Sequence, residues 1–184
     1  IGGVGIIENI KFLENFGDPK IGDEILLIGK KGQHLACSTL EEVLQENTTG
    51  KPPEINLNLE LNTGKTLLSL IQDNTLNACH DISDGGMIIA ICEMLMRSKL
   101  GATIDISDQT IIEELFGEDQ SRYIVAVSPS DKAKLLSRLK KNNVENHMIG
   151  KILKQELKIN NNIIISDNEL YEAYENTIPS IMNS

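Results

Sequence analysis

Residues 86–99 run Gly-Met-Ile-Ile-Ala-Ile-Cys-Glu-Met-Leu-Met-Arg-Ser-Lys and read as a helix that is apolar almost all round. Such a helix has no face to offer water, so it must be buried among other elements. Arg97 and Lys99 suit its negative end and Gly101 suits its C-cap. The apolar part, residues 87–96, falls far short of the roughly 20 residues a membrane span needs, so a soluble protein with no membrane partner is expected.

The segments around this helix supply the partners it needs. Residues 75–80 and 102–106 read as strands on either side of it. A short helix follows at 109–116, stopped by Gly117, and then a strand at 122–127. A helix capped by Ser130 covers 131–141, and another strand covers 144–153. Its cations Lys132, Lys134, Arg138, Lys140 and Lys141 fall on a wet face opposite Leu135, Leu136 and Leu139. Residues 75–153 thus spell strand–helix–strand twice, the split βαβ pattern of ferredoxin-like folds. Upstream, 24–29 is a buried strand, and Ser38-Thr39-Leu40-Glu41-Glu42 starts a helix reaching about Glu46. A turn-rich loop spans 47–53, and a second helix covers 63–72. Downstream, 156–165 forms a hairpin around Asn160–Asn162, and Asp167 caps a last helix through Tyr171 and Tyr174. The expected class is α+β: a mixed, mostly antiparallel sheet with a split βαβ core and flanking helices. Residues 1–20, rich in glycine and ending near Gly17-Asp18-Pro19, read as a connector, and 21–184 as one domain.

The net charge of −10 argues against nucleic acid as a partner, because a phosphate backbone needs clustered cations. An acidic protein still binds phosphate through backbone N–H groups, helix N-termini and a bridging Mg²⁺. Cys37, Cys79 and Cys92 form no C-x-x-C pair and read as reduced, buried thiols of a cytosolic protein. His34, His80 and His147 lack metal-ligand spacing, and no serine sits in a nucleophile elbow.

Two polar segments stand where chemistry can be placed. His80-Asp81-Ile82-Ser83-Asp84-Gly85-Gly86 lies between a strand and the buried helix. Its glycines allow close backbone approach, the helix start offers unpaired N–H groups, and Asp81 and Asp84 suit Mg²⁺ or a ribose. A purely structural reading stands beside it, with Asp84 as N-cap and His80 buried and hydrogen-bonded. In Gly117-Glu118-Asp119-Gln120-Ser121-Arg122, Glu118 and Gln120 suit an amide or hydroxyl, and Arg122 suits a phosphate. The structural reading makes this a helix cap and a solvated turn.

Taken in order, these pieces resemble one family. Ile1-Gly2-Gly3-Val4-Gly5, Gly22-Asp23-Glu24-Ile25-Leu26-Leu27-Ile28-Gly29, the His80–Gly86 segment and Phe116-Gly117-Glu118-Asp119-Gln120-Ser121-Arg122 are similar to successive segments of the synthetase subunit of phosphoribosylformylglycinamidine synthase. The resemblance covers nearly the whole chain and implies its C-terminal domain, with a nucleotide-binding domain upstream. It implies an ATP- and Mg²⁺-dependent ligase that phosphorylates an amide oxygen and then admits ammonia. The implied partners are the upstream domains, a glutaminase subunit and a small accessory subunit, all cytoplasmic. No catalytic residue is implied in this chain, and most ATP and Mg²⁺ ligands would lie upstream. The ligand-binding residues it implies are Asp81, Ser83, Asp84, Gly85, Gly86, Glu118, Gln120 and Arg122. The chain departs from the family at Ala36-Cys37, where Gly-Gly is usual, and at Asp119, where serine is usual. Two other readings remain: a thiamine-phosphate kinase or aminoimidazole ribonucleotide synthetase of the same superfamily, and a non-catalytic nucleotide-binding or assembly module.

Overall fold

A computed structural model describes residues 4–7, 17–45 and 50–182. Much of the expected connector, and the helix end expected near Glu46, lie outside the described residues. The strands are β1 (Glu24–Ile28), β2 (Ala78–Asp81), β3 (Gly101–Ile104), β4 (Tyr123–Val127), β5 (Asn146–Leu153), β6 (Leu157–Ile159) and β7 (Ile163–Ile165). The helices are α1 (Thr39–Gln45), α2 (Leu57–Gln72), α3 (Gly86–Ser98), α4 (Ile111–Phe116), α5 (Lys132–Lys141), α6 (Asp167–Glu175) and α7 (Thr177–Met182).

All seven strands form one sheet in the order β2-β4-β1-β5-β3-β6-β7. Each neighbouring pair is antiparallel except β3 with β6. The α+β class and the split crossovers are present. β4 and β5, joined by α5, run parallel with β1 between them, and β2 and β3, joined by α3, enclose β4-β1-β5. The sequence places β1 as a buried strand, and the sheet puts it at the centre of both crossovers.

Because side chains alternate along a strand, β1 feeds two cores. Ile25 and Leu27 join one core with Met87, Ile91 and Leu95 of α3, while Leu26 and Ile28 join another with Leu67 and Leu70 of α2 and Leu135 and Leu139 of α5. All four β1 side chains are buried, each worth about 1.5–3 kcal/mol against exposure. The cations of α5 stay on its wet face, where Lys132 pairs with Glu24 at 3.0 Å and Arg138 with Asp73 at 2.8 Å. Among the described residues no helix is long and apolar enough to cross a membrane.

Several caps differ from expectation. Lys99, in the left-handed region at φ 54°, ends α3, and Gly101 opens β3 instead. A side chain at Gly101 would collide with Glu156 O at 2.2 Å. Asp131, not Ser130, occupies the N-cap of α5, and Ser166 with Glu169, not Asp167, forms the capping box of α6. Helix α2 begins at Leu57, six residues before the expected start at Thr63, because Asn56 caps it by accepting from Leu59 N–H at 3.0 Å.

Candidate functional site

The two polar segments meet at one end of the sheet. β2 and β4 are neighbours with His80 opposite Ile124 and Asp81 opposite Tyr123, so the loop after β2 and the loop before β4 lie side by side. Between them is a cavity of about 390 Å³ lined by Asp81, Ile82, Ser83, Asp84, Glu118, Gln120, Ser121, Arg122 and Tyr123. Ala36, Cys37, Pro52, Pro53 and Glu60 close the other side. Six of the eight residues singled out in the sequence thus share one cavity. The other two, Gly85 and Gly86, are buried just behind it.

The loop after β2 takes its shape from its glycines. Gly85 caps α3 in the left-handed region at φ 80°, with no side-chain cap bond, so Asp84 is not the N-cap. Gly86 has φ 75°, and a Cβ there would meet Leu115 O and Phe116 backbone atoms at 2.7 Å. Asp81, Ser83 and Asp84 are left exposed toward the cavity. His80 is half-buried rather than buried, with Nδ1 2.7 Å from Asp81 O and Nε2 3.3 Å from Glu93.

The loop before β4 turns its charges inward. Arg122 is 1% exposed, and it donates to Lys30 O at 3.0 Å and Gly117 O at 2.7 Å. Burial lowers its affinity for a proton, partly offset by nearby Asp119 and Glu114. Two of its nitrogens, Nε and Nη1, are thus taken by backbone carbonyls, while Nη2 is buried without a hydrogen-bond partner. Asp119 accepts from Gln33 N–H at 2.8 Å and His34 N–H at 3.0 Å. Glu118 Oε1 accepts from Gly85 N–H and from Thr39 N–H, each at 2.8 Å. Gln120 alone of the predicted set in this loop is exposed.

Residues 20–160 match the family model for the AIR synthase related protein, C-terminal domain. The chain belongs to this family. It is 36% identical, over all 184 residues, to the phosphoribosylformylglycinamidine synthase subunit PurL of Brucella ovis. It spans only 25% of that relative's length. The fold is similar to that of Thermotoga maritima PurL complexed with FGAR, with TM-score 0.68 and 16% identity over 83% of this chain and 28% of that one. The same protein complexed with ATP gives a TM-score of 0.60, at 16% identity over 83% and 26% of the two chains. Thiamine-monophosphate kinase from Stenotrophomonas maltophilia K279a gives 0.57, at 20% identity over 79% and 52%.

In this AIR synthase related domain, Glu60 and Tyr123 line the cavity without having been singled out in the sequence. Glu60 accepts from Tyr123 Oη at 2.6 Å and from Ser121 Oγ at 2.5 Å. Burial, then the bond to Glu60, holds the Tyr123 phenol well above its ordinary range. The missed signal was Asn56 as a cap, which would have brought Glu60 into the first turn of α2. Cys37, expected to be buried, is exposed at φ 61°, a left-handed conformation that glycine would adopt at no steric cost. Cys79 is pushed up to about 12 and Cys92 to about 11, in each case mainly by burial, so both are inert thiols. Among the described residues no three His, Cys, Asp or Glu side chains converge to hold a metal ion.

Proposed function

We propose that this chain is the C-terminal domain of an ATP-dependent ligase that converts formylglycinamide ribonucleotide to its amidine, with residues 1–20 as the connector and 21–184 as the domain. The observation that carries this reading is 36% identity across the whole chain to a protein of that name. In the reaction the amide oxygen of the substrate attacks the γ-phosphorus of ATP and ADP leaves. Ammonia then adds to the activated carbon, and phosphate departs with the former amide oxygen.

The part of this domain in that chemistry is to bind and orient. The cavity rim offers Asp81, Ser83, Asp84 and Gln120, which are carboxylate, hydroxyl and amide groups exposed to a ligand. Such groups suit ribose hydroxyls and amides. Arg122 gives Nε and Nη1 to backbone carbonyls, and in this reading most groups that hold ATP and Mg²⁺ belong to the upstream domains. The partners of this reading are those upstream domains, a glutaminase and a small accessory subunit, in the cytoplasm.

The test uses the full-length polypeptide carrying this chain, supplied with formylglycinamide ribonucleotide, ATP, Mg²⁺ and ammonium. Amidine formed in step with ADP is the expected result. Phosphorylation of thiamine phosphate instead would move the protein to the kinase branch. Nucleotide binding without turnover of either substrate would make it a binding module.

A further inference from the structure

We infer that Glu118 is a positioning residue: one of its carboxylate oxygens ties together the two loops that form opposite walls of the cavity and sets the distance between them. Oε1 accepts Gly85 N–H at the start of α3 and Thr39 N–H at the start of α1, each at 2.8 Å. Both donors belong to helix starts, whose first N–H groups have no partner within the helix. One wall, Asp81, Ser83 and Asp84, leads directly into Gly85. The other, Ala36 and Cys37, leads within two residues to Thr39.

The neighbours of Glu118 hold it in place for this. Its own N–H donates to His34 O at 3.2 Å, and Asp119 grips Gln33 and His34 from the same loop. Buried Arg122 fixes Gly117 immediately before it. An acceptor oxygen carrying two N–H bonds has used its two lone pairs, so Oε1 has no capacity left for a ligand. Glu118 thus acts on ligand through the walls it holds. This inference rests on the proposed ligase reading only for the identity of the ligand. The coupling of the two walls stands apart from it.

The experiment compares wild type, Glu118→Gln, Glu118→Asp and Glu118→Ala in the full-length polypeptide by amide hydrogen exchange and by steady-state kinetics. Glu118→Ala is expected to speed exchange about tenfold or more in segments 36–39 and 83–86 together, with β1, β4 and β5 as protected as in wild type. It is also expected to raise KM for formylglycinamide ribonucleotide about tenfold while kcat changes little. Glu118→Gln keeps an oxygen acceptor and is expected to restore both readouts. Glu118→Asp is shorter by one methylene and is expected to protect one segment and release the other. If Glu118→Ala unfolds the protein, the Gln and Asp variants decide the matter. Faster exchange in only one segment of the Ala variant, or in neither, would overturn the inference. Absence of ligase activity in wild type would sink the proposed function, and the exchange data would still judge Glu118.

Discussion

The loops after β2 and before β4 share one cavity and are built in opposite ways. The first is shaped by backbone: Gly85 and Gly86 take positive φ, and the polar side chains of Asp81, Ser83 and Asp84 are left over for solvent or ligand. The second is shaped by side chains: Glu118, Asp119 and Arg122 all turn back onto backbone groups, and only Gln120 is left outside. A polar residue beside a cavity is therefore either presented or spent. Its hydrogen-bond partners, not its charge, decide which.

That contrast can be broken by substitution. Arg122→Met carries the largest expected effect, a loss of about 3–5 kcal/mol, because it leaves the buried Gly117 O and the partly buried Lys30 O without their donor and opens a gap in the frame. Urea denaturation measures it, and a loss under about 1 kcal/mol would mean the guanidinium is not part of the frame. Gly86→Ala comes next, at about 2–3 kcal/mol, since it adds left-handed strain and a contact with Leu115 O at 2.7 Å. A thermal midpoint equal to that of wild type would show that the backbone can give way there.

Tyr123→Phe removes the bond to Glu60 and is expected to cost about 1 kcal/mol near neutral pH. Its pH dependence sharpens the test. The folded protein holds the phenol proton above the ordinary value of 10.0, so wild-type stability is full below that pH and falls as pH rises past it. The variant is expected to show a shallower alkaline loss, and parallel curves would deny the coupling. Asp84→Ala has the smallest expected effect on stability, under about 0.5 kcal/mol, because Asp84 caps nothing. Its effect is expected in ligand affinity, read by titration of the full-length polypeptide, and loss of stability without loss of affinity would place Asp84 in the frame.

Much of this architecture is legible in the sequence because local pattern dictates it. The all-apolar run of α3 could only be a buried helix, and the Leu135-Leu136-Leu139 spacing could only serve one face of α5. The start of α2 is not legible in the same way. Leu57-Asn58-Leu59-Glu60-Leu61-Asn62 alternates with a period of two, like a strand, and Leu57 and Leu61 stay exposed in the helix. That local ambiguity concealed Glu60. The two candidate loops are legible as loops, since their glycines announce turns. The fate of Arg122 is not, because it depends on Lys30 O, 92 residues away in sequence. The caps missed by a residue or two, at α3, α5 and α6, were missed where a left-handed residue or a neighbouring side chain took the position the pattern assigned elsewhere.

The central place of β1 has a consequence for how the chain is made. Its partners are Tyr123–Val127 on one side and, on the other, a stretch of β5 that reaches Lys151. During synthesis Ile25, Leu26, Leu27 and Ile28 leave the ribosome before either partner strand has been translated. Until then the nascent chain carries an unpaired run of four aliphatic side chains, the kind of segment that holdase chaperones shield and that seeds aggregation when they do not. The strand that binds the finished sheet together is thus the one most in need of protection while the sheet is unfinished.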